Sequence, residues 1–260
     1  MDNQRYTPEV KFELAPIELE VEYLYFFSRT ERRFDTIMKR VYPELDGIIE
    51  KTKDKNEAIL KCREFAKKVI EKNETIIIES KDSIQNDWSM IGNEFLLTLA
   101  KHFEIEWPRD ISTITGYVSI VPIFPRFLET SSFCVGYRVN TSQAREIIAH
   151  EILHLLWFKK WKEIFPEISE DQYESPHLTW RLSEIMDPII LQCNPMIKGL
   201  VQPTMWGYNS FKDLKIGDTS MTEYFVKVYK KCVQDDQSFE EILKTLWNEA
   251  QKNREILEKF

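Results

Sequence analysis

The sequence predicts an α+β protein: a small mixed or antiparallel sheet packed on one long buried helix, followed by a mainly helical C-terminal part. Three observations predict it. β-branched and aromatic residues concentrate in two runs between 113 and 139. A nearly continuous apolar segment of helical length, Gln143–Trp161, follows at once. The last 40 residues or so then read as two helices. The 260 residues are 43% hydrophobic and 13% aromatic, enough for one large domain or two packed subdomains, and too apolar for global disorder. A division follows the composition: 1–158, an α+β subdomain ending in the long helix, and 159–260, mainly helical, with a cleft between them.

The elements follow in order. Ile17, Leu19, Val21 and Tyr23 alternate with Glu18, Glu20 and Glu22, which predicts a half-exposed strand over 17–26. Residues 31–50 read as helical, with Pro43 breaking or restarting the helix. The stretch 54–74 has one polar face and one apolar face, hence an amphipathic helix. "TIIIES" at 75–80 is short and β-branched and reads as another strand. A buried helix is expected over 87–105. "TITGYVSIVPIF" (113–124) and "SSFCVGYRV" (131–139) are strands, a hairpin or neighbours, separated by "PRFLET". "NTSQ" at 140–143 supplies N-caps for the long helix. A polar stretch with Pro166 and Pro176 leads to the segment 177–193, helical at least as far as Asp187, and 195–220 is loop-rich.

Charge and cysteine content narrow the function. The net charge is −8, and the basic groups are short and local, "RTERR" at 29–33 and "FKKWK" at 158–162. No basic patch suits a nucleic acid, because neutralising phosphates requires clustered Lys and Arg. Cys62, Cys134, Cys193 and Cys232 show no C-x-x-C spacing and read as free thiols of a reducing compartment. The N-terminal residues lack the apolar core of a signal peptide, and no run is long enough to span a bilayer. A cytoplasmic location is expected.

Chemistry enters at the centre of the long helix, where "QAREIIAHEILHLLWFKKW" carries His150, Glu151 and His154 amid apolar residues. Residues four apart share a helix face, so both imidazoles can reach one metal ion. Glu151 sits about 100° around the helix, beside the metal and able to take a proton from its water. The chain has four histidines, and chance places two in H-E-x-x-H on the order of once in a hundred such sequences. Burying these groups without partners costs a few kcal/mol each, roughly, a cost that a zinc ion would offset.

This motif, with the two strands before it and the helix after it, resembles the zincin metallopeptidases over roughly residues 113–193. The metzincin extension, a glycine and third histidine just downstream, is absent. A catalytic zinc takes three protein ligands and keeps one open position. Glu170, Asp171 and Glu174 lie in a polar loop and read as solvated charge. Trp180, Glu184, Asp187 and Leu191 share one helical stripe, which places Glu184 and Asp187 among apolar groups. The resemblance to the gluzincin branch implies that Glu184 is the third ligand and that Asp187 braces a ligand histidine. Ser183 precedes Glu184 where that branch has Asn, and Asp187 follows at three residues rather than four. Asp187–Pro188 also suits the start of a new helix. His177 is the rival third ligand, an oxyanion donor, or a surface residue; Tyr173 and Tyr208 are further donor candidates.

The expected function is therefore a zinc peptidase acting on peptides or proteins with one zinc per chain. His150, His154 and Glu184 are the metal ligands, Glu151 is the general base, and His177 and Tyr208 are catalytic candidates. The strand at 131–139 is the expected edge for an extended substrate. A zinc-stabilised interaction or regulatory protein without hydrolytic activity is the alternative, and it requires four protein ligands.

Overall fold

A computed structural model describes residues 6–31, 34–208 and 210–259. Arg32 and Arg33 of the basic run lie outside the described residues. The elements are β1 (Glu9–Leu14), α1 (Ile17–Arg29), α2 (Asp35–Val41), α3 (Pro43–Lys51), α4 (Lys55–Ser89), α5 (Gly92–His102), β2 (Thr113–Ser119), β3 (Arg126–Phe127) and β4 (Ser132–Gly136). Then come α6 (Thr141–Ile164), a 3₁₀ turn (Glu170–Tyr173), α7 (Leu178–Cys193), α8 (Pro195–Val201), α9 (Ser210–Asp213), β5 (Lys215–Ile216), β6 (Thr219–Ser220), α10 (Met221–Gln234), α11 (Phe239–Lys252) and α12 (Arg254–Leu257). The protein is mixed α and β, with a small sheet and a helical C-terminal part. No helix among the described residues is long and apolar enough to cross a membrane.

The chain forms two compact units that interleave along the sequence, whereas the sequence suggests one cut after Phe158. A sheet unit comprises 9–90 and 113–147. A helical unit comprises, of the described residues, 6–8, 91–112 and 148–259. Their boundary falls within α6, between Ile147 and Ile148.

In the sheet unit the strand order is β1-β2-β4-β3. β1 and β4 both run parallel to β2, and β3 is antiparallel to β4. The runs at 113–124 and 131–139 are thus neighbours but not a hairpin, and "PRFLET" folds back as β3. β4 is an inner strand flanked by β2 and β3, so it is not the free edge expected for substrate pairing. β1 carries the alternation of a half-buried strand, with Val10 and Phe12 inward, and was not among the predicted elements. Gly116 faces Phe12 on one side and Phe133 on the other. A Cβ there would lie 2.4 Å from the Phe12 ring, so the glycine makes room for two rings that meet edge to face at 6.2 Å.

Two predicted strands are helical. Residues 17–26 form most of α1, which begins after Pro16 and buries Glu20, Val21, Leu24, Phe27 and Ser28 at helical spacing. The alternation over 17–23 spans too few residues to exclude a 3.6-residue period, and the continuation through Phe27 decides it. "TIIIES" lies inside α4, whose N-cap Asp54 accepts from the Glu57 amide. There Ile77 is buried while Ile76 is 55% and Ile78 39% exposed, so one helical face overrides local β-propensity.

In the helical unit, every residue of α7 from Leu178 to Gln192 is buried. A helix apolar on nearly all sides is surrounded by others, and here α8, α10, α11 and α12 pack against it. Arg181 anchors its first turns, donating to the carbonyls of Pro176 at 2.8 Å and Leu257 at 2.9 Å. Phe103, Trp157 and Phe239 pack edge to face nearby, with the Phe103 and Phe239 rings 4.4 Å apart. The region 195–220, expected as loop, also holds α8, α9 and the β5–β6 hairpin, which turns at Gly217 with φ +60°.

Candidate metal centre

α6 starts where the sequence places it. Asn140 Oδ1 accepts from the Gln143 amide at 2.9 Å, and Gln143 Oε1 accepts from the Asn140 amide at 3.3 Å. This reciprocal capping starts the helix, and the four-residue spacing then brings His150 and His154 onto one face. Their Nε2 atoms are 3.1 Å apart, and their rings are nearly perpendicular.

α7 supplies the carboxylates. Glu184 Oε1 is 3.3 Å from His154 Nε2, and Glu184 Oε2 is 3.5 Å from His150 Nε2. Asp187 Oδ2 is 2.9 Å from the other ring nitrogen of His154, Nδ1. Its Oδ1 has no hydrogen-bond donor among the described residues. His150, His154 and Asp187 form a cluster whose ligand-type atoms lie within 4.8 Å of one another. Asp187 meets His154 on its Nδ1 edge, while Glu184 meets both histidines on their Nε2 atoms.

Asp187 and Pro188 lie in the interior of α7, so they do not begin a new helix. Pro188 lacks the N–H that would bond the carbonyl of Glu184 four residues earlier, which interrupts the helical ladder at the turn carrying Glu184. Gly207, at φ +81°, lets the following loop pass close to Pro188, where a Cβ would come within 3.2 Å of the proline ring.

The cluster is deeply set. The side chains of His154 and Asp187 are 0% exposed and that of Glu184 6%, while that of His150 is 23% exposed and marks the side open to solvent. Glu151 is buried beside them. Burial opposes the His150 charge, but the Glu184 hydrogen bond and the charges of Glu151, Glu184 and Asp187 outweigh it and raise its pKa. Burial likewise opposes ionisation of Glu184, and the two histidines outweigh it and hold its pKa well below the usual carboxylate range. Carboxylates thus converge on imidazoles in an arrangement that attracts positive charge.

These residues fit a metal ion. Tetrahedral zinc with bonds of about 2.0–2.1 Å holds its ligand atoms about 3.3 Å from one another. The two Nε2 atoms are 3.1 Å apart, and each faces a different Glu184 oxygen, His154 at 3.3 Å from Oε1 and His150 at 3.5 Å from Oε2, so the carboxylate is within reach of an ion held by both imidazoles.

The other expected site residues are not in the cluster. His177 is exposed at the N-cap of α7, seven residues before Glu184 and so about 10 Å away along the helix axis. Tyr208 is 36% exposed with its ring against Phe211. Tyr173 is buried, and burial raises its pKa to about 12. The sequence reading missed Phe158, whose ring stacks on His154. Its place four residues after His154, on the same stripe, was the signal that could have found it. No family model, no curated protein and no solved structure matches the chain.

Proposed function

We propose that the protein is a zinc-dependent peptidase of zincin type, holding one zinc through His150, His154 and Glu184. One observation carries the reading: two imidazole Nε2 atoms from α6 lie 3.1 Å apart and face the two oxygens of one α7 carboxylate, Glu184, at 3.3 and 3.5 Å, with His150 toward solvent. Zinc bound there would supply a water that ionises near neutral pH and a Lewis acid for the scissile carbonyl. Glu151, adjacent to His150 and buried, would take the proton from the attacking water and return it to the leaving amine. Asp187 holds the Nδ1 edge of His154, which leaves Nε2 directed at the cluster. The four cysteines form no disulfide, which suits a cytoplasmic setting.

Glu151→Gln tests the reading, because the amide keeps the side chain's shape and cannot act as a base. The variant should retain zinc and lose cleavage of a mixed peptide library by about 100-fold or more. Equal cleavage by variant and wild type would remove Glu151 from the chemistry. A zinc-loaded wild type that cleaves nothing would favour the non-hydrolytic alternative.

A further inference from the structure

We infer that Phe158, backed by Tyr173, is a positioning residue for the metal ligand His154; the inference rests on the proposed zinc site. The His154 and Phe158 rings are 5.8 Å apart and 12° from parallel. Phe158 in turn stacks on Tyr173, at 4.6 Å and 23°. The three rings form one stack running from the cluster to the 3₁₀ turn between α6 and α7, and all three are buried.

An imidazole ligand must be fixed in two ways, about its edge and in its plane. Asp187, at 2.9 Å from Nδ1, fixes the edge. A contact at the edge still permits the ring to tilt, and a flat neighbour parallel to the ring resists that. Phe158 supplies the flat neighbour, one helical turn along the same face of α6. Offset stacking at these separations is favourable in itself. An imidazole that donates electron density to a metal becomes electron-poor, and an aromatic face favours such a ring, as it favours a cation. The stack therefore holds the His154 ring in the plane that a metal-bound imidazole needs. Tyr173 keeps Phe158 from rotating away, which ties the turn at 170–173 to the geometry of the ligand.

The test compares Phe158→Leu, which keeps apolar bulk and loses the flat face, with Phe158→Tyr, which keeps the face. Zinc affinity is measured by competition with a chelator, and the ligand geometry by the visible absorption of the cobalt(II)-substituted protein. Phe158→Leu should lose zinc affinity by about tenfold, the lower range for partners outside the ligand set, and should shift the cobalt spectrum. Phe158→Tyr should retain both. Leucine and wild-type proteins with equal affinity and equal spectra would overturn the inference while leaving the zinc site intact. If Phe158→Leu does not fold, Tyr173→Leu against Tyr173→Phe makes the same comparison one ring further out. There, equal affinity and spectra would overturn it in the same way. A wild type that binds neither zinc nor cobalt would instead remove the site on which the inference stands.

Discussion

Under the proposed zinc reading each side chain of the cluster has a separable role, and substitutions should separate them. Glu184→Gln removes the charge of the proposed third ligand and should weaken zinc by about 100-fold or more, beyond the effect of losing an outer partner. His177→Ala should leave zinc affinity unchanged, since His177 is exposed and far along α7 from Glu184. Competition titration of both variants checks the pair, and a large loss in the His177 variant would return that residue to the ligand set. His150, Glu151 and His154 were legible in the sequence because their spacing is set by the helix alone. Glu184 and Asp187 were legible because carboxylates on an apolar stripe need a partner. The stacking of Tyr173 on Phe158 was not, because it depends on where a Pro-bounded loop returns in space, which no local period encodes.

At the scale of elements, helices with continuous apolar faces were legible and short β-like runs were not. "IELEVEY" fits both periods over seven residues, and "TIIIES" has β-branched residues inside a 35-residue helix. The true first strand, "EVKFEL", is only six residues long and gains its place by pairing with β2, a hundred residues on. Strand direction also depends on such distant pairing, so the parallel β2–β4 contact could not be read from "PRFLET". Gly116 is where this sheet is least tolerant. Gly116→Ala should cost about 1–3 kcal/mol, because a Cβ would overlap the Phe12 ring and force two aromatic side chains from their places. Chemical denaturation measures this, and an unchanged midpoint would mean that the rings are free to move aside.

For the molecule as a whole, a buried carboxyl and a half-buried imidazole titrate in opposite senses, one in each unit. In the sheet unit, burial raises the pKa of Glu20 to about 7, despite hydrogen bonds from Ile120 N at 2.9 Å and Ser119 Oγ at 2.7 Å. Its folded pKa exceeds the unfolded value of 4.5, so stability is fully present below about pH 4.5 and falls as pH rises to 7. The loss is about 3 kcal/mol. In the helical unit, burial lowers the pKa of His102 to about 4 from 6.5. Stability is therefore present above about pH 6.5 and falls as pH drops toward 4. Glu20→Gln removes the first effect, so thermal melts from pH 5 to 8 should show the variant gaining on wild type as pH rises. A constant difference between the two across that range would contradict the assignment.

The helical unit is proposed to hold one metal ion between α6 and α7. The direct measurement is metal content after supplementation with zinc and removal of unbound ion, for wild type and for the His150→Ala, His154→Ala double variant. About one zinc per chain in the wild type and none in the double variant is the predicted result. A wild type that retains no zinc, or a double variant that retains as much, would contradict the site.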